Sequence, residues 1–170
     1  MEESWDIYDA DRKKTGETHL RGQKLLDGQF HLAVEIWTIN SSGKILLTRR
    51  HSCKPFPGQW ECTAGSAISG EDSREAAQRE LEEEVGITIV DAELELVDAY
   101  RATDSFCDVW LARKDVRISE LRLQPGEVSA AKWVTIEEFR GMYEQKRIVP
   151  RLSYLYRLID SGKIPIAGCT

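Results

Sequence analysis

The sequence predicts an α+β protein in which a mixed β-sheet is covered by helices on both sides. Residues 31–39 are rich in β-forming side chains and predict a long strand. Residues 71–85 place apolar side chains four apart, which is typical of a helix that buries one face. Strands and helices alternate irregularly along the rest of the chain, and this order favours a sheet between helical layers. With 170 residues and 41% hydrophobic content, the chain is long enough to bury the core of one domain.

The predicted strands are bounded by residues that favour turns and loops. Residues 4–9 alternate apolar and polar side chains, and residues 13–16 supply a turn after them. Residues 40–43 form a turn between two strands, and Pro57 with Gly58 places a loop before the next one. In chain order, the predicted strands cover residues 4–9, 31–39, 44–49, 60–64, 94–102, 106–113 and 130–134.

Three helices are predicted, and the first carries most of the information. It runs from about Glu71 to Val85, with Ser69 or Gly70 as its N-terminal cap and Gly86 as a left-handed stop. Its buried side is formed by residues four apart, namely Ala77, Leu81 and Val85. The other two helices are predicted to start after Thr135 and to cover about 150–159.

Three carboxylates of the first helix share one of its faces. Glu80, Glu83 and Glu84 stand at i, i+3 and i+4. Since a helix turns by about 100° per residue, Glu83 and Glu84 lie at roughly −60° and +40° from Glu80. Like charges at this spacing repel each other, and a hard divalent cation with oxygen ligands removes the repulsion. The acidic face borders the apolar stripe, so we expect a metal site at the edge of the core.

Residues 65–87 have the pattern G, five residues, E, seven residues, R-E-L, one residue, E-E, one residue, G and an aliphatic residue. This segment resembles the Nudix box at every defining position. The resemblance implies an α/β/α sandwich and an enzyme dependent on Mg²⁺ or Mn²⁺. It also implies that water attacks phosphorus within the diphosphate of a nucleoside diphosphate linked to another moiety.

The resemblance also implies roles for single residues. Glu80, Glu83 and Glu84 match metal ligands, and Glu80 also matches a position that acts as base or orients the attacking water. Gly65 is expected to offer its carbonyl oxygen to the metal, and Arg79 to position the neighbouring Glu80. Arg79 can instead pair with a glutamate four residues earlier on the helix. Glu71, on the opposite side of the helix from Glu80, is expected to be structural.

Residues outside the box are further candidates for the site. Glu127, in the segment after Pro125 and Gly126, resembles an additional ligand or general base, although an ordinary turn acid fits the same pattern. Arg49 and Arg50 are candidates for phosphate contacts, and because they alternate along a strand we expect at most one to serve. Phe56 and Trp60 are candidates for stacking on a base, or else they pack against the core. The list of candidates for substrate contact is therefore Arg49, Arg50, Phe56 and Trp60.

Residues 27–70 resemble one branch more closely, the isopentenyl-diphosphate isomerases and their hydrolase relatives. The isomerases need a cysteine where this chain has Ala64, and an acid where it has Ser105. Cys62 stands two residues earlier, and His31 matches one isomerase metal ligand without the other histidines. We therefore favour the hydrolase, and keep the isomerase and a non-catalytic nucleotide-sensing domain as alternatives.

Net charge and cysteine spacing limit the binding partners and the cellular compartment that we expect. A net charge of −6 gives no global attraction to nucleic acid or anionic membranes, and no apolar run reaches the ~20 residues of a membrane span. Cys53, Cys62, Cys107 and Cys169 show no C-x-x-C spacing and are expected to be reduced, which predicts a cytoplasmic protein. We expect a small-molecule diphosphate as substrate, and a homodimer is possible. We divide the single predicted domain into an extension (1–26), a core (27–145) and a C-terminal helix with a tail (146–170).

Overall fold

The computed structural model describes residues 3–166, so Cys169 lies outside the described part of the chain. Within that part, a seven-stranded mixed sheet and a two-stranded sheet contain the strands, and the predicted mixed sheet is confirmed. The strands are β1 (Ser4–Tyr8), β2 (Lys14–Leu20), β3 (His31–Ile39), β4 (Ile45–Arg50), β5 (Trp60–Glu61), β6 (Thr63–Ser66), β7 (Leu94–Arg101), β8 (Ser105–Arg113) and β9 (Val128–Val134). The helices are α1 (Ser73–Val85), α2 (Ile136–Glu144) and α3 (Tyr154–Asp160).

Strand β3 is the centre of the large sheet. It pairs in parallel with β8, where His31 lies opposite Ser105, and antiparallel with β4 and β6. Parallel neighbours need a long crossover connection, and α1 lies within the connection from β3 to β8. The helix packs against β6 and β3, which places the acidic face of α1 beside the strand that begins the Nudix-like segment.

Two apolar clusters lie on opposite faces of this sheet. One joins α1 to β3 through fully buried side chains, which include Val34, Ile36, Leu81 and Val85. The other joins β3 and β4 to α2 and α3, and its members include Trp37, Leu47, Phe139 and Leu155. Burying each of these side chains contributes on the order of 2 kcal/mol. Because helices cover both faces, the predicted α/β/α sandwich is confirmed.

Helix α1 begins two residues later than predicted, and its cap is neither Ser69 nor Gly70. Asp72 is the N-cap, since its side chain accepts hydrogen bonds from the backbone N–H groups of Arg74 and Glu75, at 2.8 and 2.9 Å. Glu75 returns the contact by accepting from the backbone N–H of Asp72 at 2.8 Å. This capping box satisfies N–H groups that the helix itself leaves unpaired. The C-terminal prediction is confirmed, because Gly86 has φ of 72°.

The N-terminal segment forms a hairpin that the sequence analysis described only in part. The turn lies at residues 9–13, where the Asp9 carboxylate accepts hydrogen bonds from the N–H groups of Asp11 and Lys13, both at 2.9 Å. The predicted turn at 13–16 is therefore wrong, and Lys14 already begins β2. This strand is polar and exposed, so it lacks the alternation that reveals a half-buried strand.

The predicted strand at 60–64 is two short strands with different partners. β5 pairs with β4, whereas β6 pairs with β3. Cys62 lies between them and is fully buried. The strand at 31–39 has the predicted boundaries, the other strands differ from the predictions by one or two residues, and a 3-10 turn at Pro150–Ser153 precedes α3. The change of partner at Cys62 carries the chain across the sheet towards α1.

No helix within residues 3–166 is long and apolar enough to cross a membrane. The three cysteines in that range, Cys53, Cys62 and Cys107, are free thiols.

A stacked aromatic pair joins the N-terminal hairpin to the central strand. The rings of Trp5 and His31 lie 4.1 Å apart between centroids, with an angle of 17° between their planes. Burial lowers the pKa of His31 below its ordinary value. Because folding then disfavours the protonated ring, the folded state loses stability as the pH falls below the ordinary histidine pKa of about 6.5.

We predict that His31→Phe flattens this part of the pH–stability curve. Phenylalanine keeps a ring against Trp5 but takes up no proton, so the difference in unfolding free energy between wild type and variant should shift in favour of the variant from pH 7.5 to pH 5. Urea denaturation across that range measures it. If the difference in unfolding free energy between wild type and variant stays constant with pH, the pKa assigned to His31 is contradicted. A change in packing alone would alter the stability equally at pH 7.5 and at pH 5.

Candidate functional site

The guanidinium of Arg79 organises the carboxylates of α1. Its Nε and Nη2 donate to the two oxygens of Glu71 at 2.7 and 3.0 Å. Its Nη1 donates to Glu80 and to Glu83, both at 2.9 Å, and Nη2 also donates to the carbonyl of Ser66 at 2.9 Å. Burial alone would lower the pKa of Arg79, but its bonds to Glu71 and the charge of Glu80 raise it. One cation therefore ties three acids of the Nudix-like segment to strand β6.

Glycine at position 65 permits the closest contact between α1 and the sheet. A Cβ atom built on Gly65 would lie 2.0 Å from Oε1 of Glu80, which is a collision. The φ of Gly65 is not in the left-handed region, so space rather than backbone conformation requires glycine here. The carboxylate of Glu80 thus lies directly against the backbone whose carbonyl is the predicted metal contact.

We call the contact between β6 and the acidic face of α1 the acidic seam. Glu84 is buried at this seam without a full set of hydrogen-bond partners. Its side chain is 4% exposed, and its Oε2 has no hydrogen-bond partner within the described residues. Burial raises its pKa well above the ordinary glutamate value, and the charges of Glu80 and Glu61 raise it further. An acid that is buried, clustered and unpaired has the environment that a cation would relieve.

These residues fit a hard divalent cation in chemistry. Glu80, Glu83 and Glu84 offer carboxylate oxygens, and Gly65 offers a carbonyl, which is the donor type that Mg²⁺ and Mn²⁺ take. Their present arrangement differs from a closed site, because among residues 3–166 no three acidic, histidine or cysteine side chains are gathered around one point. Arg79 binds Glu80 and Glu83 but not Glu84. Glu83 is about half exposed, so it has room to turn.

Comparison with known protein families covers these same residues. A family model described as the NUDIX domain matches residues 29–158, which is most of the chain. The chain belongs to the Nudix family. Gly65, Arg79 with its hydrogen bonds and the acidic face of α1 are therefore parts of one family motif.

Relatives extend the Nudix assignment over almost the full chain. A protein of Listeria monocytogenes named as an uncharacterized Nudix hydrolase is 38% identical over 166 residues, covering 95% of this chain and 98% of the relative. An isopentenyl-diphosphate Delta-isomerase of Frankia alni is 31% identical over 144 residues, covering 79% and 73%. A crystal structure from Deinococcus radiodurans has a TM-score of 0.74 at 23% identity, covering 94% and 98%. The chain is a Nudix hydrolase by family, and its resemblance to the isomerase branch is confirmed.

A polar cleft adjoins the Nudix segment on the other side of β6. Its lining includes Gly65, Ala64, Glu35, Arg50 and Arg151. The sequence analysis did not identify Glu35 or Arg151. Glu35 had a signal in the sequence, because it is a glutamate in the middle of an apolar strand. Arg151 lies 116 positions away from Glu35 and had no such signal.

Glu35 is the buried anchor of this cleft. Its side chain is 4% exposed and accepts three hydrogen bonds. Arg151 Nε donates to Oε1 at 2.6 Å, and the hydroxyl groups of Tyr154 and Tyr100 donate to Oε2 at 2.5 and 3.1 Å. Tyr154 in turn accepts from the indole N–H of Trp37 at 3.0 Å. The C-terminal segment therefore builds the floor of the cleft from side chains that the Nudix motif does not contain.

Glu61 links this floor to Arg50. Nη1 of Arg50 donates to Glu61 Oε1 at 2.5 Å, and Nη2 of Arg151 donates to Glu61 Oε2 at 3.3 Å. Of the two adjacent arginines, only Arg50 lines the cleft that contains Gly65. Arg49 instead lies around a second cleft together with Trp60, and its Nε donates to the carbonyl of Gly58. This division agrees with the alternation expected along β4.

The aromatic candidates lie apart from the acidic seam. Trp60 packs against the core cluster of α2 and α3, with Nζ of Lys132 at 4.6 Å from its ring centroid. Phe56 is half exposed in the loop before β5. Packing, the alternative considered from the sequence, accounts for the position of Trp60.

The remaining candidates occupy distinct environments. Glu127, just before β9, forms an ion pair with Lys54 of the loop before β5, and the charge of this lysine also acts on Glu84. Cys62 is fully buried, and burial raises its pKa well above the ordinary thiol value. Ala64 and Ser105 line the cleft where the isomerases carry their cysteine and acid.

We predict that Gly65→Ala destabilises the protein by about 1–3 kcal/mol, because the new methyl group must displace the Glu80 carboxylate. The matched control is Gly141→Ala in α2, where a Cβ would meet nothing within 4 Å. That change should stabilise the protein by roughly 0.5–1 kcal/mol, since alanine favours helix over glycine. Chemical denaturation of both variants tests the contact. Equal stability of Gly65→Ala and wild type would show that α1 does not press on β6.

Proposed function

We propose that the protein hydrolyses a diphosphate bond in a nucleoside diphosphate linked to another moiety, with Mg²⁺ or Mn²⁺ and by water attack on phosphorus. The observation that carries this proposal is the buried acidic seam, where Glu80 lies against Gly65 and Glu84 has an unpartnered oxygen. Such a seam is unfavourable unless a cation joins it, and a cation there is next to the polar cleft.

The residues that would hold the ion are Gly65, Glu80, Glu83 and Glu84. When bound, a divalent ion neutralises the diphosphate, aligns it and lowers the pKa of a bound water. Glu80 would be the group that accepts a proton from the attacking water, and Arg79 fixes its carboxylate in position at 2.9 Å. Glu127 stays a candidate for the same task, and it pairs with Lys54, whose charge also acts on Glu84.

The positive side chains around the seam suit the phosphate groups. Arg50 is 11% exposed and is held by Glu61, which leaves its Nη2 without a partner among the described residues. An arginine fixed in this way donates to phosphate with little loss of side-chain entropy. We propose a phosphate contact for Arg50 rather than for Arg49, whose side chain lies around the other cleft.

The isomerase is the second candidate, because named isopentenyl-diphosphate isomerases are among the relatives. Proton transfer to carbon needs an available acidic or basic side chain, and the two positions that match the isomerase cysteine and acid, Ala64 and Ser105, supply neither. The carboxylate of Glu35 in the same cleft is occupied by its bonds to Arg151, Tyr154 and Tyr100. Cys62 does not replace the missing thiol, since it is fully buried and its pKa is raised. These observations favour the hydrolase.

We further propose a small-molecule substrate and a cytoplasmic location. The free thiols of Cys53, Cys62 and Cys107 support a reducing compartment. A homodimer remains a prediction from the sequence.

The decisive experiment is chromatographic detection of the hydrolysis products, a nucleoside monophosphate and a second phosphate monoester, from a panel of nucleoside diphosphate derivatives, together with assay of isopentenyl diphosphate isomerisation, with Mg²⁺, Mn²⁺ or EDTA. We expect cleavage of one nucleotide class with either metal and none with EDTA. Isomerisation of isopentenyl diphosphate without nucleotide cleavage would replace the hydrolase by the isomerase. Binding of nucleotides without turnover of any compound would favour a sensing domain.

We predict that Glu83→Gln lowers kcat by roughly a hundredfold or more, because it removes one charged oxygen ligand. The fold should persist, since Glu83 is half exposed and its pair with Arg79 contributes only about 1 kcal/mol or less. Glu82→Gln is the control, because Glu82 lies on the same helix but pairs with Arg122 and Thr88. Near-normal Mg²⁺-dependent activity of Glu83→Gln would overturn the metal assignment.

A further inference from the structure

The polar cleft beside Gly65 is too small for a whole substrate. Its volume is about 240 Å³, whereas pockets that enclose complete small ligands are about 300–1,000 Å³. It starts at Gly65 and Arg50 and extends along β3 and β8 to Tyr100 and Ser105. Because Gly65 both lines this cleft and contacts the Glu80 carboxylate, a diphosphate bound beside Gly65 would place one of its two substituents in the cleft.

Arg151 is held in the cleft by two buried carboxylates. Its Nε and Nη2 donate to Glu35 and Glu61, which are 4% and 6% exposed. Its Nη1 has no partner among the described residues, and the side chain as a whole is 41% exposed. Because two of its three nitrogens are fixed, the third presents its N–H groups to the cleft in a defined direction.

The charges lining the cleft balance each other. Arg50 and Arg151 are the cations, and Glu35 and Glu61 are the anions that hold them. The cleft thus offers N–H donors without an excess of positive charge, which suits a neutral oxygen acceptor better than another phosphate. It suits a hydrocarbon chain least, because such a chain would cover these polar groups without bonding to them.

Neutral polar groups complete the lining. The hydroxyl group of Tyr100 donates a hydrogen bond to Glu35, and its oxygen can still accept one from a ligand. Ser105, at the start of β8, adds a second hydroxyl group to the lining. Cys107 borders the same space, and burial, with Glu35 nearby, raises its pKa to about 12, so the thiol stays neutral. A ligand with several hydroxyl groups finds both donors and acceptors here.

We propose that Arg151 is the residue that selects the substituent of the diphosphate, and that this substituent is a neutral, hydroxyl-bearing group such as a sugar. Nη1 of Arg151 donates to a hydroxyl or ring oxygen of that group. The inference rests on the proposed diphosphate site, and it adds a specificity residue from outside the Nudix box.

The test compares wild type with Arg151→Lys on four probes. UDP-glucose and ADP-ribose carry a sugar on the diphosphate, UTP carries a third phosphate, and isopentenyl diphosphate carries a hydrocarbon. Lysine keeps the positive charge beside Glu35 but lacks the planar fork, so the fold is retained while the Nη1 donor is lost. For the sugar-bearing probe that wild type prefers, KM should rise about tenfold with kcat changed by less than about twofold. The KM for UTP should stay unchanged.

Arg157→Lys is the matched control, because Arg157 lies on the same C-terminal segment and pairs with Asp98 outside the cleft. It should leave all kinetic constants as in wild type. An equal loss of kcat/KM for every probe in Arg151→Lys would mean that Arg151 only supports the fold. Wild-type preference for UTP or for isopentenyl diphosphate would overturn the proposal, and so would an unchanged KM for the sugar-bearing probe.

Calorimetric binding of the same probes separates this inference from the proposed function. If wild type hydrolyses none of them but binds a sugar-bearing diphosphate about tenfold more tightly than Arg151→Lys does, the hydrolase proposal fails and the selection by Arg151 stands. If wild type binds the sugar-bearing probes no better than UTP, the selection fails whatever the activity.

Discussion

The close contact between α1 and β6 at Gly65 is the constraint on which the rest of this structure depends. It puts the carboxylate of Glu80 against a strand backbone, where a methyl group at position 65 would collide with it and force it to turn away. The contact needs a helix that starts at a fixed residue, which the Asp72 capping box provides. It also needs a cation that holds several acids at once, which Arg79 provides through Glu71, Glu80 and Glu83. Chemistry at the seam is thus a product of packing as much as of charge.

On the opposite side of β6, a second set of buried charges has a different pattern of hydrogen bonding. Glu35 and Glu61 are satisfied by hydrogen bonds within the protein, whereas Glu84 is left with a free oxygen. Burying a charged pair costs desolvation that its attraction only partly repays, so complete satisfaction indicates a rigid, preorganised wall. Incomplete satisfaction at the seam indicates a place prepared for another ligand. The two sides of β6 therefore differ: on one side the buried carboxylates are fully bonded, and on the other Glu84 keeps an unbonded oxygen.

Local signals in the sequence predicted the elements that depend on local interactions. The long strand β3, helix α1 and its glycine stop carry their own periodicity and caps, and the Nudix-like segment placed the acids on one face of α1. β2 escaped prediction because it is polar and gains its stability from pairing with β1. The cleft escaped prediction because Glu35 and Arg151 meet only in the folded chain. Candidates chosen by residue type alone, such as Arg49 and Trp60, came to lie around another cleft.

The parallel pairing of β3 with β8 has a consequence for how the protein is made. His31 has no partner on that side until Ser105 has been synthesised, and the register is complete only when Arg113 joins Ile39. Helix α1 and its acids lie within the long loop that this pairing closes, and closing a long loop is entropically costly before contacts repay it. Helix α1 packs on β3 and β6, which precede it in the chain, so on the ribosome one edge of β3 is the part of this layer that stays unpaired until β8 has emerged.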